Sequence, residues 1–195
     1  MWNTQTLHDR NGQRKYLTIV ERNRFLEATK SMPIDRRLYC YVLACTGCRV
    51  SEALSLTKQN LDPSMNLIIF ETLKQRKRGV YRAVPVPPRL IELLLDLPAN
   101  KKLFTFSRYT CWRFIKRSMY EAGIMGTGHA MPKAIRHSFG IGHAQTKTPP
   151  NMTQRWFGHA KIETTHIYMN ASGEEERAFA SSIWPSFSGF SEKNL

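Results

Sequence analysis

The spacing of apolar residues predicts a mostly helical domain. Apolar side chains recur about every three to four positions through most of the chain, which is the period of a helix with one buried face. One predicted helix carries an apolar stripe from Leu38 to Cys45 and stops near Gly47. Further helices are predicted over residues 19–31, 50–56, 107–122, 132–145, 151–158, 163–170 and 173–182, and after the Pro87-Pro88 pair.

Two β-rich runs interrupt this helical pattern. They cover residues 66–72 and 80–86, and the basic segment 74–79 joins them. Two such runs with a short polar connection predict an antiparallel hairpin. The expected fold is therefore mainly α with a small antiparallel β-sheet, an α+β domain.

The length of the chain, 195 residues, suits one domain with a core of its own. We expect residues 1–17 to form a polar N-terminal lead, residues 18–182 the folded domain and residues 183–195 a C-terminal tail. No apolar run approaches the ~20 residues of a membrane helix, and the first residues have no apolar signal core. The four cysteines do not show the paired spacing of a zinc site, so we expect buried, reduced thiols and a cytoplasmic protein.

The charge of the chain indicates a polyanionic partner. Lysine and arginine outnumber aspartate and glutamate by 29 to 15, a formal net charge of +14. Two long stretches, residues 72–91 and 122–162, contain basic residues and no acid, which favours a phosphate-binding surface. The shortage of acids also argues against a nuclease built on carboxylate-bound metal ions. The predicted nucleic-acid contacts in these stretches are Arg76, Lys77, Arg78, Arg82, Arg155 and Lys161.

The first candidate motif spans residues 44–52. Gly47 ends one predicted helix and Arg49 begins the next, where a guanidinium and free backbone N–H groups can meet a phosphate together. Glu52 lies one turn further on, and we expect it to hold that guanidinium by an ion pair.

The second candidate motif spans residues 132–139. Lys133 and Arg136 share one face of the predicted helix, while Ile135 belongs to the core face. Phe139 belongs to the core face as well, and His137, which directly follows Arg136, is expected to be a packing or surface histidine and not a ligand.

The third candidate motif spans residues 157–168. His159 follows a predicted helix end, and Tyr168 lies in the first turns of the next helix. A phenol has a pKa near ~10, so a nucleophilic tyrosine needs cations or a base nearby. The basic surroundings of this motif make Tyr168 a candidate nucleophile.

Together these segments resemble the tyrosine recombinases of the phage-integrase superfamily, in particular the short fimbrial-switch inversion recombinases. The family pattern is Thr-Gly-x-Arg-x-x-Glu, a hairpin Lys, His or Lys-x-x-Arg, Leu-Gly-His, and a Tyr nine residues after that His. The resemblance spans about residues 18–182, which would then be the catalytic domain. The matching positions are Thr46, Gly47, Arg49, Glu52, Lys74, Lys133, Arg136, Phe157, Gly158, His159 and Tyr168.

The resemblance implies a chemical role for each matched residue. Tyr168 would attack a scissile phosphate of DNA, giving a 3′-phosphotyrosine and a free 5′-hydroxyl. Arg49 and Arg136 would clamp the non-bridging oxygens, and His159 would hydrogen-bond the phosphate. Lys133 would assist proton transfer, at a position where the family often has histidine. The reaction would need no metal and no cofactor.

The general acid has two candidates. By resemblance, Lys74 would protonate the leaving 5′ oxygen, and we prefer it because it follows the end of a predicted strand. Lys77 lies eight residues before Pro85, a spacing that some members show for this lysine.

The resemblance also implies partners and alternatives. The expected partner is double-stranded DNA with specific recombination sites, bound by a tetramer of this chain, with an accessory DNA-bending protein as a further candidate. Arg49 is preceded by 48 residues, too few for the N-terminal clamp domain of longer members. In the tail, Trp184, Phe187 and Phe190 either pack on their own domain or dock on a neighbouring protomer.

The expected activity is DNA integration, inversion or resolution in a prokaryotic cytoplasm, in association with the nucleoid. A type IB topoisomerase shares the cleavage chemistry and is one alternative. A non-catalytic DNA-binding relative that uses only the basic face is the other.

Overall fold

The structure is a computed structural model that describes residues 7–72, 79–98, 101–124, 129–146, 148–169 and 181–182. Its helices are α1 (Ile19–Ala28), α2 (Ile34–Thr46), α3 (Val50–Leu54), α4 (Pro88–Leu95), α5 (Arg108–Glu121), α6 (Pro132–Gln145), α7 (Pro150–Phe157) and α8 (Glu163–His166). Its strands are β1 (Leu61–Asp62), β2 (Leu67–Glu71) and β3 (Tyr81–Pro85). The predicted fold class is therefore confirmed. No helix within the described ranges is long and apolar enough to span a bilayer.

The helix boundaries follow capping signals in the sequence. Thr18 and Glu21 form a reciprocal capping box that begins α1. Ser107 accepts a hydrogen bond from the Thr110 N–H at the start of α5. Gly47 ends α2 in the left-handed conformation, with a φ of 58°. The observed ends lie within a few residues of the predicted ones, and the helix predicted over 173–182 falls almost wholly outside the described residues.

The strands form one antiparallel sheet in the order β1-β2-β3. The predicted hairpin is confirmed, because β2 pairs with β3 from Leu67 opposite Pro85 to Glu71 opposite Tyr81. Strand β1 has two residues, too few for an alternating pattern to indicate it in the sequence.

Helix α2 lies at the centre of the core, with α1, α4, α5 and α6 packed around it. Residues 7–17 also pack on this core, and Tyr16 and Leu17 are at most 1% exposed. An ion pair between Arg14 and Glu21 ties this segment to α1. The expectation of a polar lead that stands apart from the folded domain is therefore wrong at Leu7, Tyr16 and Leu17, which are part of the core.

The four cysteines are all free thiols. Cys40, Cys48 and Cys111 are buried, and Cys45 is half-buried. This agrees with the expectation of reduced cysteines that serve packing.

Candidate active site

The turn between α2 and α3 places Arg49 at the edge of an open cleft. Gly47 makes this turn, and a Cβ at that position would lie 2.6 Å from Phe139 Cδ1. Both the left-handed backbone angle and the close ring therefore require glycine. The chain reverses here, and Arg49 becomes the N-cap residue of α3.

Glu52 is the buried anchor of Arg49. Its side chain is fully buried, and its Oε1 accepts a hydrogen bond from Arg49 Nη1 at 2.8 Å. Its Oε2 accepts a second bond, from the backbone N–H of Arg49, also at 2.8 Å. One carboxylate thus fixes both the start of α3 and the direction of the Arg49 side chain.

Arg82 bonds the same carboxylate, and the prediction that it contacts DNA is wrong. Strand alternation turns Arg82 to the core face of β3, opposite Phe70, and its side chain is 3% exposed. Its Nη2 donates to Glu52 Oε2 at 2.6 Å, and its Nε donates to the Trp156 carbonyl at 2.8 Å. A guanidinium enclosed in this way cannot reach a DNA backbone.

The two arginines keep Glu52 ionised. Burial alone would raise the pKa of Glu52, but the hydrogen bond and charge of Arg82, joined by those of Arg49, outweigh burial and lower the pKa. One carboxylate then balances only one of two guanidinium charges. Because Arg82 faces inward and Arg49 faces the cleft, the excess positive charge is directed at the cleft.

Replacing Arg82 by methionine is expected to destabilise the fold, because Glu52 would stay buried after losing one of its two cations. Removing one partner of a buried ion pair lowers the free energy of unfolding by about 3–5 kcal/mol. We expect a loss of about 3 kcal/mol here, because Arg49 still pairs with Glu52. Urea unfolding measures the loss, with Arg117→Met as the matched control, since Arg117 forms an exposed ion pair with Glu121.

The double variant Glu52→Gln/Arg82→Met should lose less stability than the two single variants together, because it leaves no fully buried charge without its partner, and Arg49 is partly exposed to water. If Arg82→Met is as stable as Arg117→Met, the buried role of Arg82 is refuted.

Arg136 joins three segments of the site. It lies on α6, and its guanidinium donates to the backbone carbonyls of Gly47 and Phe157. Its Cζ lies 4.5 Å from the centroid of the Phe157 ring, and its Nη2 lies 3.0 Å from His159 Nε2. Burial, together with the charge of Arg49, lowers the pKa of Arg136 to about 10, so the group stays cationic at neutral pH.

The bonds of His159 define its tautomer. A guanidinium can only donate, so His159 Nε2 accepts from Arg136 and carries no proton. The proton is therefore on Nδ1, which donates to Thr165 Oγ1 at 2.9 Å. Burial and the charges of Arg136 and Arg49 lower the pKa of His159 to about 3, so the ring is neutral. In this arrangement His159 has no proton on Nε2 to offer a phosphate, although an anion beside Arg136 would favour protonation of the ring.

Tyr168 lies near the two arginines but is enclosed. It is 1% exposed, and its ring stacks on Phe157 with centroids 5.1 Å apart. Its hydroxyl lies 3.2 Å from His137 Nδ1. Burial raises the pKa of Tyr168 to about 12, although the charges of Arg136 and Arg49 act in the opposite direction. The phenol is therefore protonated at neutral pH.

An open cleft of about 370 Å³ adjoins the arginine pair. Its described lining includes no acidic side chain and four cationic ones: Arg49, Arg108, Lys133 and Arg136. Trp112 forms part of the wall and is 47% exposed. Clustered guanidinium and ammonium groups without a carboxylate favour a phosphate ligand. Arg108 and Trp112 were not indicated by the motifs, because they belong to a helix that carries none of them.

The remaining predicted contacts fall into two groups. Arg155 and Lys161 are exposed, and Arg155 lines a second cleft of about 280 Å³ beside His159. The others lie outside the described residues: Lys74, Arg76, Lys77 and Arg78. In the part of the chain that the structure describes, no three His, Cys, Asp or Glu side chains come together as a metal-binding group.

Sequence reasoning missed two residues that enclose Tyr168. His137 was expected to serve packing or to lie on the surface, yet it bonds the phenol. Gly140 lies inside α6, where a Cβ would come within 2.6 Å of the Tyr168 ring. Glycine in a helix interior costs about 1 kcal/mol of stability relative to alanine. A glycine inside the predicted helix was therefore the sequence signal for a side chain packed closely against it.

Mild acid is expected to destabilise the fold through its buried histidines. The pKa values of His137 and His159 lie at about 4 and about 3, below the ordinary 6.5, with burial as the main cause. Between these values and 6.5 the unfolded chain binds protons that the folded chain does not. The free energy of unfolding should therefore fall as the pH drops from about 7 to about 5.

Urea unfolding at several pH values measures this dependence. The range lies above 4.5, the ordinary pKa of glutamate, and the pKa values of Glu21 and Glu52 are lower still in the fold, so these carboxylates stay mostly ionised in both states and contribute little above about pH 5. His137→Asn should make the fall smaller. A free energy of unfolding that stays constant over this range would show that the two rings are not held neutral.

Comparison with known proteins places these features in a family. The Phage integrase family profile matches residues 15–175. Tyrosine recombinase XerA of Pyrococcus furiosus is 28% identical over 174 residues, which cover 82% of this chain and 58% of that protein. The crystal structure of XerA recombinase superposes with a TM-score of 0.75 at 26% identity, covering 88% of this chain and 66% of that one.

A second solved structure contains DNA. It is a post-cleavage complex of XerH site-specific recombinase bound to a palindromic difH substrate, with a TM-score of 0.72 at 25% identity, covering 88% of this chain and 53% of that one. The chain spans about three fifths of the length of the curated XerA relatives it matches. The family profile covers every described site residue from Arg49 to Tyr168. This protein therefore belongs to the phage integrase family, the tyrosine recombinases.

Proposed function

We propose that this chain is the catalytic domain of a site-specific recombinase that cleaves and rejoins double-stranded DNA through a 3′-phosphotyrosine intermediate. The observation that carries the proposal is that Arg49 and Arg136 line one cationic cleft, with His159 bonded to Arg136 and with Tyr168 close enough to feel the charges of both arginines. Arginines that are already held in place can stabilise the charge of a phosphoryl transition state without reorganisation. The DNA-bound XerH structure supports the same chemistry by similarity.

In the proposed reaction a scissile phosphate occupies the cleft. Arg49 and Arg136 hold its non-bridging oxygens, and the oxygen of Tyr168 attacks phosphorus as the phenol gives up its proton. The bond from phosphorus to the 5′ oxygen breaks, and that oxygen takes a proton and leaves as a hydroxyl. His159, protonated once the phosphate anion lies beside Arg136, donates a hydrogen bond to the phosphate, and Lys133, exposed at the cleft, assists proton transfer. Rejoining is the reverse attack by a 5′-hydroxyl, which releases Tyr168.

For the proton donor we propose Lys74, with Lys77 as the alternative. Both lie outside the described residues, between Thr72 and Val80. Thr72 and Val80 line the same cleft as His159, which supports a catalytic role for the segment between Thr72 and Val80.

The proposed partner is double-stranded DNA with specific recombination sites, in integration, inversion or resolution. We also propose a tetramer of this chain on DNA, an accessory DNA-bending protein and a cytoplasmic, nucleoid-associated location. The tail residues Trp184, Phe187 and Phe190 lie outside the described residues, and their docking on a neighbouring protomer stays a prediction.

The function is tested with a library of duplexes that carry a nick and randomised inverted repeats. Cleavage beside the nick releases a short strand, so a covalent adduct accumulates and its DNA can be sequenced to define the site. Exchange of strands between two duplexes bearing that site supports a recombinase. Relaxation of supercoils without exchange would indicate the topoisomerase alternative, and binding without an adduct the non-catalytic one.

A further inference from the structure

The hydroxyl of Tyr168 is held by a histidine that the proposed reaction does not use. His137 lies on α6, and its Nδ1 is 3.2 Å from Tyr168 Oη. The histidine is 7% exposed, and its Nε2 is buried without a hydrogen-bond partner among the described residues. A buried imidazole that bonds a phenol through one nitrogen and leaves the other unpaired indicates that this bond is the role of the side chain.

His137 is uncharged at neutral pH. Burial lowers its pKa to about 4, and the nearby cations Lys133 and Arg136 act in the same direction. A neutral imidazole has one bare nitrogen that can accept the phenol proton in a hydrogen bond. Because the pKa of Tyr168 is about 12, that proton stays on the phenol oxygen. The pair therefore favours an intact phenol, which is a poor nucleophile.

The ring of Tyr168 fills a slot between α6 and Phe157. Gly140 forms one wall so closely that a Cβ there would lie 2.6 Å from Tyr168 Cγ. Phe157 forms the other wall, stacked with an angle of 13° between the rings. With 1% of its surface exposed, Tyr168 cannot meet a phosphodiester until it moves.

We propose that His137 is a positioning residue that stores the nucleophile, holding Tyr168 in this slot until DNA binding draws the phenol toward the arginine pair. The inference rests on the proposed function, because it assigns a resting place to the nucleophile of that reaction. The stored bond is absent from the reactive arrangement, so it stabilises only the ground state and slows cleavage.

The contacts of His159 supply a route for release. His159 bonds Arg136 at one ring nitrogen and Thr165 at the other, and Thr165 lies three residues before Tyr168. A phosphate beside Arg136 competes for its guanidinium and favours protonation of His159, and a ring that turns to donate to the phosphate gives up its bond to Thr165. The segment that carries Tyr168 is thereby loosened when the substrate arrives.

The test compares two substitutions of His137 that differ mainly in hydrogen bonding. His137→Asn keeps an acceptor near the position of Nδ1, and His137→Leu removes it. The control is His143→Leu, because His143 lies on the same helix and bonds Thr148 instead of Tyr168. The full chain is mixed with saturating nicked duplex, and the single-turnover rate of adduct formation is measured.

His137→Leu should raise this rate by about three- to tenfold, which corresponds to about 0.6–1.4 kcal/mol at 1.36 kcal/mol per factor of ten. His137→Asn should restore a rate near that of the wild type, since it keeps the bond. His143→Leu should leave the rate within about twofold of the wild type, the range expected where no Tyr168 contact changes.

A spectroscopic measurement follows Tyr168 directly, in the absence of DNA. The chain is labelled with 3-fluorotyrosine, and Tyr168→Phe assigns the Tyr168 fluorine signal. In His137→Leu this signal should move toward those of exposed tyrosines and gain a solvent isotope shift. In His137→Asn it should stay in place.

Gly140→Ala is a second route to the same state, in case His137→Leu does not fold. The added methyl would collide with the Tyr168 ring, whereas Gly142→Ala on the same helix would meet only Arg22 Nη1, at 3.3 Å. Gly140→Ala should displace the Tyr168 signal and raise the rate, and Gly142→Ala should do neither.

The outcomes separate the two hypotheses. If the wild-type chain forms no adduct, the proposed function fails. If the wild type forms an adduct and the folded His137→Leu variant is no faster, storage by His137 is overturned. A Tyr168 signal that is unmoved in both His137→Leu and Gly140→Ala overturns it as well.

Discussion

Replacing Tyr168 by phenylalanine is expected to abolish covalent attachment to DNA while leaving the fold intact. The change removes only the phenol oxygen, which is the proposed nucleophile. The ring keeps its stack on Phe157 and its place beside Gly140. The lost bond to His137 costs about 1 kcal/mol of stability, a usual net value for one hydrogen bond. We expect the rate of adduct formation to fall by more than about 10⁴-fold, the scale on which enzymes lose activity with their nucleophile.

The measurement is adduct formation on the nicked duplex, with binding followed by gel shift on the same DNA. Tyr120→Phe is the matched control, because Tyr120 lies on α5 with 68% of its surface exposed and takes no part in the site. It should form the adduct at the wild-type rate. An adduct formed by Tyr168→Phe would mean that another residue attacks the phosphate.

Local structure was predictable because its causes are local in the sequence. The capping box at Thr18 and Glu21 uses residues three positions apart, and the Ser107 cap reaches Thr110. Gly47 ends α2 because glycine, which has no Cβ, adopts the left-handed backbone conformation at little cost. Such signals define where elements begin and end without reference to the rest of the chain.

Arg82 shows a case in which the sequence contained the answer and the charge pattern obscured it. Its predicted run alternates, so Arg82 shares a face with Val84, and Val84 is fully buried. Counting Arg82 with the basic stretch around it placed it on a DNA-binding surface. The period of a strand is a stronger guide to the direction of a side chain than the charge of its neighbours.

The contacts that assemble the site could not be derived from the residues themselves. Arg136 bonds Gly47, which lies 89 positions away, and His137 bonds Tyr168, which lies 31 positions away. Neither pair follows from periodicity or capping, which act over a few residues. The family resemblance brought Arg49, Arg136 and Tyr168 together, but it assigned nothing to His137, so that contact was found only in the structure.

Replacing either Arg49 or Arg136 by alanine is expected to slow cleavage by at least ~10²-fold at saturating DNA. Each guanidinium stabilises charge that grows in the transition state, and losing one such donor costs about 10²–10³-fold in rate. The two variants should differ in stability. Arg136→Ala leaves the Gly47 and Phe157 carbonyls without their donor, at about 1–3 kcal/mol.

Arg49→Ala should cost less stability, because Glu52 keeps its bonds to Arg82. Single-turnover cleavage and urea unfolding, measured on both variants, separate the catalytic role from the structural one. Arg117→Ala is the control, since the Arg117 side chain is 79% exposed and pairs with Glu121 away from the cleft.

A rate loss below about tenfold for Arg49→Ala would show that Arg49 does not stabilise the transition state, because a donor aimed at developing charge contributes more than that. For Arg136→Ala, a slow cleavage rate could also come from unfolding. In that case a ligand that binds and stabilises the folded chain would restore the rate. A variant that lacks only the transition-state donor would stay slow after it is stabilised.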